Sequence, residues 1–320
     1  TSDSFSKVAA DKPDQMSKVV VSQTAGSTQV TLTWTEPTLN GLAIDAYTIY
    51  IYSPVGTNNY SEYTSLCDVS VAPALTSLTC SIEMTEFINT LGYSAGENIY
   101  AKATATNPRG TSVVSLASDA SVVAQVAPTV APSNLAGTAT KDSITLTWDQ
   151  VTLNSETGYS AITYYKVYNT TSGSAVYLTN TTAPTVTTTF SSLTPAGNTF
   201  TYKVSAYNIH GEGPLSSSYS QLLAGIPDTM TAPVVSQSGT QVVFSWTAPN
   251  NNGESIDSYE LLLFDRNDNT FREWKTLCNG TDHLNDASPS CAIEMAQFLN
   301  TLNYTIGQSI SAKITATNLK

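Results

Sequence analysis

Residues 201–217 read TYKVSAYNIHGEGPLSS. Tyr202, Val204, Ala206 and Asn208 fall on alternate positions, with Lys203, Ser205 and Tyr207 between them, which is the period of a strand with one buried face. The run breaks at His210-Gly211-Glu212-Gly213, a glycine-bearing hairpin turn. Upstream, SITLTW ending at Trp148 and ITYYKVY ending at Tyr168 alternate in the same way. Short strands between turn residues describe an all-β sandwich over residues 128–225.

On either side of this unit lie two copies of a different one. CSIEMTEFINTLGY, Cys80 to Tyr93, returns as CAIEMAQFLNTLNY from Cys291 to Tyr304, 211 positions later. Trp34, Pro37, Gly41, Ile44, Asp45 and Tyr47 match Trp246, Pro249, Gly253, Ile256, Asp257 and Tyr259 at an offset of 212. PDQM from Pro13 matches PDTM from Pro227, and SFS at Ser4–Ser6 matches SYS at Ser218–Ser220, both at an offset of 214. The second of these matches falls at the end of the middle unit. The order is therefore A, B, A′, with residues 1–12 expected as the last strand of a preceding B-type domain, 13–127 as A, 128–225 as B and 226–320 as an A′ lacking its last strand. Pro-containing seams, VAPTVAPSN and AGIPDTMTAP, separate the units. On this reading the chain is a window from a longer array.

Composition agrees with three domains of roughly 100 residues. Charged residues make up 12% of the 320, and the formal net charge is −12. No Lys/Arg cluster is available to displace counterions, so no nucleic-acid partner is expected. No run of eighteen apolar residues occurs to span a membrane, and the N-terminal residues carry neither part of a signal peptide.

In A, Val30, Leu32 and Trp34 share one face of a strand, and the next strand carries Ile44-x-x-Tyr47-x-Ile49. Its counterparts are Ile162-x-x-Tyr165-x-Val167 and Ile256-x-x-Tyr259-x-Leu261. A Trp closing the second strand, then Ile-x-x-Tyr-x-aliphatic, then Ala-x-Asn with a glycine turn resembles the fibronectin type III module, an immunoglobulin-like β-sandwich, over nearly the whole chain. The resemblance is fullest in the middle unit, from Leu193 through Asn208. A and A′ place Ala101 and Ala312 where the family's strand tyrosine would sit and insert a segment before that strand. Within it Met84, Phe87, Ile88 and Leu91, and Met295, Phe298, Leu299 and Leu302, follow helical spacing, which predicts a short amphipathic helix. Glu83 and Glu294 are expected in its first turn, favoured by the helix dipole.

The cysteines come two per A unit, Cys67 with Cys80 and Cys278 with Cys291, thirteen positions apart. Pairing within each unit is the economical reading, each bond tying the strand before the helix to the strand entering it. A zinc or redox site is the rival, poorly served by C-x12-C without clustered His, and free buried thiols are the third possibility. Five N-x-S/T sequons occur, at Asn59, Asn169, Asn180, Asn279 and Asn303. At least two are expected to carry glycans; Asn303 is the weakest candidate because Tyr304 beside it is expected to be buried.

No catalytic residues, metal site or cofactor are expected. The two histidines, His210 in a hairpin turn and His283 in a polar loop, have no Cys, Ser or Asp partner retained between copies. Asp265-x-Asn267-x-Asn269 mimics the start of a calcium loop without its closing glycine and glutamate, and reads as a solvated turn. Trp274, in place of Tyr63, reads as an amphipathic sheet position. The C-x-I-E-M segment resembles cysteine-bearing type III repeats of large extracellular proteins of ciliates and related protists, which implies an extracellular or cell-surface structural protein, a rod or filament whose partners are copies of itself or neighbouring repeats. The alternative is an adhesion or receptor ectodomain whose loops bind a protein or glycan. A neighbouring chain completing A′ by strand addition is a narrower possibility.

Overall fold

In the computed structural model, described over residues 7, 9–55, 60–69, 74–284, 286 and 288–320, the period-two segments form three β-sandwiches in sequence. In the first domain, β1 (Val20–Ser22), β2 (Gln29–Thr33) and β5 (Thr79–Glu83) make one sheet in the order β1-β2-β5. Facing it are β4 (Tyr60–Glu62), β3 (Ala46–Tyr52), β6 (Ala101–Asn107) and β7 (Gly110–Thr111), in the order β4-β3-β6-β7. Register follows the apolar faces: Leu32 lies opposite Cys80, and Tyr47, Ile49 and Ile51 opposite Ala105, Ala103 and Ala101.

The middle domain repeats the plan with β8 (Ala136–Ala139), β9 (Ile144–Thr147) and β12 (Thr187–Phe190) against β10 (Tyr164–Asn169), β11 (Val176–Thr182), β13 (Thr199–Asn208), β14 (Gly211–Glu212) and β15 (Tyr219–Leu222). In the third domain, β16 (Val234–Ser238), β17 (Gln241–Ser245) and β20 (Ser290–Glu294) face β18 (Ser258–Asp265), β19 (Thr270–Glu273) and β21 (Ala312–Thr317). Among the described residues β21 pairs with β18 alone. Residues 7 and 9–12 form no strand, and the rest of the strand expected over 1–12 lies outside the described residues.

One aromatic pair stands at the centre of each core. Trp34 meets Tyr47 at 5.9 Å between ring centroids, Trp148 meets Tyr165 at 5.8 Å, and Trp246 meets Tyr259 at 5.7 Å. These are the Trp and Ile-x-x-Tyr positions of the sequence motif, packed tilted or edge to face as ring quadrupoles favour.

The expected helices are present as α2 (Met84–Asn89) and α3 (Met295–Asn300), with α1 (Ala74–Ser77) as a further turn. Met84, Phe87 and Leu91 are buried in the first core together with Ala101. Ala101 lies opposite Ile51 as Tyr202 lies opposite Asn169, so alanine stands at the register position that a tyrosine holds in the middle domain, where Tyr202 stacks on Phe190 at 5.5 Å. The third domain keeps Phe298 and Leu302 buried but leaves Leu299 exposed. A tyrosine after each helix ties it to the sheet opposite: Tyr93 Oη donates to Tyr52 O at 2.8 Å and Tyr304 Oη to Phe264 O at 3.0 Å.

One expectation is corrected here. Glu83 and Glu294 are not in the first helical turn; they occupy the N-cap position at the end of a strand and make no capping bond. Their carboxylates instead accept across the sheet, Glu83 from Gln29 Nε2 at 2.7 Å and Glu294 from Gln241 Nε2 at 2.8 Å and Thr240 Oγ1 at 3.0 Å. Past β7 the chain through Ser118 forms no regular strand. Ser112, Ser115 and Ser118 donate their N–H to Ala105, Ala103 and Ala101, and their hydroxyls accept from the N–H of the same alanines at 3.0–3.1 Å. Three residues advance here for every two of β6, a run of successive bulges. Val113, Val114 and Leu116 fall outward because of that mismatch.

Candidate functional site

Each domain binds its own incoming linker in the same way. In the first, Asp11 N–H donates to Asn40 O and Asp14 N–H to Thr38 O. In the middle, Val126 N–H donates to Gly158 O and Thr129 N–H to Glu156 O. In the third, Gly225 N–H donates to Asn252 O and Asp228 N–H to Asn250 O. The carbonyl of the leading residue is then taken by an asparagine amide at the end of β6 and β13 and one residue past β21: Asn107 to Asp11 O at 2.9 Å, Asn208 to Val126 O at 2.8 Å, Asn318 to Gly225 O at 2.9 Å. These are the Ala-x-Asn asparagines. In all three the side-chain oxygen accepts from the backbone N–H two residues on, so the amide is committed on both sides.

The preceding domain holds the linker almost to the same point. Ala124 N–H donates to Glu97 O and its carbonyl accepts from Gly96, both within the first domain. Leu223 is bound likewise to Asn198 and Gly197 of the middle domain. Only Gln125 separates the backbone bonds of the first domain from those of the second, and only Ala224, fully buried, separates the second from the third. Gln125 itself bridges the seam: its Oε1 lies 3.4 Å from Gln23 Nε2 on one side and 2.9 Å from His210 Nε2 on the other. Burial holds the His210 imidazole below its ordinary pKa, so the neutral ring donates to that oxygen.

Glycine lets the loops approach this closely. Gly158 has φ +69°, and a Cβ there would lie 2.6 Å from Ala127 O. Tyr159 follows it, itself at φ +60°, with its ring laid over Gly96 of the first domain.

The outer face of the middle domain carries a connected polar and aromatic patch. Glu212 accepts from Lys166 Nζ at 2.7 Å, Tyr168 Oη at 2.5 Å and Ser205 Oγ at 2.6 Å. Burial pushes its carboxyl up, but these three bonds outweigh it and hold the pKa below the ordinary value. Tyr164 stacks on Tyr207 at 4.5 Å, with Lys166 Nζ 4.9 Å from the Tyr207 ring. At the sheet edge Val176, Tyr177 and Leu178 of β11 are exposed.

The cysteines pair within units, Cys67 with Cys80 and Cys278 with Cys291, each with Cα atoms 5.9 Å apart. Cys67 sits in irregular chain past β4 rather than on a strand. Opening the Cys67–Cys80 bond by double Cys→Ser replacement is expected to destabilise the first domain by about 3 kcal/mol, the loop-closure value for a ring of this size. Hydrogen exchange read domain by domain measures the loss, with the middle domain unchanged. His283, placed by sequence in a loop without a cysteine partner, ends a 3-10 turn (Gly280–His283), and its ring nitrogen lies within 4.8 Å of the Cys278 and Cys291 sulfurs. It also meets Trp246 edge-on and bonds Asp286 at 2.9 Å. Asp265 is buried rather than solvated, accepting from Asn267 N and Nδ2 at 2.9 and 2.8 Å. Trp274 is half-buried against the third core, one residue past β19 rather than in the sheet. Of the sequons, Asn180 and Asn303 are exposed, Asn169 and Asn279 half-buried, and Asn59 lies outside the described residues.

Residues 130–221 match the family model for the Fibronectin type III domain. No curated protein matches the chain. Among solved structures, the chicken CNTN1 FN1–FN3 domains are similar at 18% identity, over 96% of this chain and 94% of that one, with a TM-score of 0.33. Among the described residues no helix is long and apolar enough to cross a membrane.

Proposed function

We propose, from the premise that this chain is an all-β tandem whose middle unit is a fibronectin type III domain, that it works as a stiff extracellular spacer, a segment of a rod or filament at the cell surface. The observation that carries this reading is the single free residue at each seam. A flexible tether needs several residues without partners, and here one backbone position per junction is left to rotate. Two disulfides suit an oxidising compartment. The doubled A unit around B suits an array whose period is a pair of domains, joined at about residues 12, 127 and 225, stacking as quasi-one-dimensional repeat proteins do. An N-glycan at the exposed Asn180, on the open edge strand β11, would keep such a surface soluble. Fibronectin type III domains serve adhesion and structural proteins alike and are generally non-catalytic, and the proposal assigns the chain no reaction. Small-angle scattering and negative-stain images of the chain are expected to show an elongated particle with one narrow distribution of interdomain angles. A broad distribution, from domains tumbling independently, would refute the spacer.

A further inference from the structure

The seam between the first and middle domains is also a cleft of about 620 Å³. One wall is the β1–β2 turn of the first domain, Gln23 to Ser27, and the other is the Tyr159–Ala161 loop with the strand residues Tyr164 and Tyr207 of the middle domain. Gln125 lies between them. No charged side chain lines it. Gln23 Nε2 and Gln125 Oε1 are engaged with each other and with Ser27 O and His210, which leaves Gln23 Oε1 and Gln125 Nε2 without partners among the described residues. The hydroxyls of Tyr159, Ser160 and Thr24 likewise have none there.

We infer that this seam cleft is a binding site for a neutral saccharide. A sugar ring offers an apolar C–H face and a rim of hydroxyls, each both donor and acceptor. Tyr164, backed by the stacked Tyr207 ring, supplies one aromatic face for the first, and an unpaired amide donor, an unpaired amide acceptor and several hydroxyls supply partners for the second. An anionic or cationic ligand would enter without a counter-charge on any wall. The two domains are held by a one-residue seam, so the cleft is formed before the ligand arrives, as small-molecule sites usually are. The inference goes beyond the spacer reading, which concerns shape alone: elongated particles that bind no sugar would refute the site and leave the spacer standing.

Glycan-free, disulfide-intact chain titrated by NMR with a panel of neutral oligosaccharides (triacetylchitotriose, maltotriose, cellotriose, mannotriose) tests it, with sialyllactose as the acidic comparison. At least one neutral sugar is expected to saturate, with shifts in the 23–27 and 159–164 segments. Tyr164→Ala should weaken binding at least tenfold and Gln125→Ala severalfold, while Tyr177→Ala on the exposed edge strand leaves it unchanged. Gln125 carries no backbone bond to either domain and lies in neither core, so its replacement leaves both domains folded even if Tyr164→Ala perturbs the sheet. No saturable binding by any neutral sugar, binding of sialyllactose alone, or binding indifferent to Gln125→Ala would each overturn the assignment.

Discussion

Asn208→Ala is expected to loosen the junction between the first and middle domains and to destabilise the middle domain by about 3 kcal/mol or more. Asn208 is fully buried, its amide donates to Val126 O and to Thr157 O at 2.8 Å each, and its oxygen accepts from His210 N–H at 2.8 Å. Alanine removes all three partners at once. A buried polar group left without a partner costs about 1–3 kcal/mol, and three at the low end give the figure above. The Val126 carbonyl is also one of the two backbone anchors of the linker's first residue in the middle domain, the other being its N–H on Gly158 O, so its loss weakens the hold on the joint next to Gln125. Hydrogen exchange is expected to show faster opening at Val126, Thr157 and His210, and scattering to show a wider spread of angles. Asn208→Asp separates the contributions, because it keeps the acceptor for His210 and loses both donors. If Asn208→Ala leaves the angle distribution and the exchange rates as they were, the amide is not what stiffens the seam.

The second large effect is at Phe87. This ring is fully buried and meets Tyr93 at 5.7 Å, in the core that also holds Leu91 and Ala101. Phe→Ala in such a site costs about 3–5 kcal/mol, counting both lost transfer energy and the cavity. A single domain has about 5–15 kcal/mol in all, so the first domain would be brought near its threshold. Helix α2 has six residues, too few to persist without tertiary packing, and it is expected to open together with the Tyr93 tie to β3. A three-domain chain does not unfold in one two-state step, so exchange resolved by segment is the proper measurement. Slow exchange in β10 and β13 should be retained while β3 and β6 lose protection. A variant with the first domain as well protected as before would show that Ala101, and not the helix, sets the packing there.

Much of this architecture is legible in the chain because its signals are local. Alternation over Tyr202 to Asn208 marks β13, and helical spacing at Met84, Phe87 and Leu91 marks the buried side of the insert. Where the structure departs from these signals, a local pattern has a nonlocal competitor. Glu83 is favourable beside a helix dipole, yet Gln29, 54 positions away, offers its carboxylate a direct bond. The Asp265 turn resembles a solvated loop, but packing buries the carboxylate beneath its own neighbours. The serines at 112, 115 and 118 have a visible period of three, which alternation does not recognise as pairing.

Sequence by itself therefore determined the sandwich class, the doubled unit, the inserted helix and the thirteen-residue cysteine spacing, since each is written in the period or recurrence of neighbouring residues. Tertiary structure alone decided the seams. That Asn208 finds Val126, 82 positions back, that Gln125 reaches both Gln23 and His210, and that Tyr159 lies over Gly96 depend on where three separately folded cores meet. A buried amide takes whichever carbonyl the fold brings within 3 Å, and no short-range pattern carries that information.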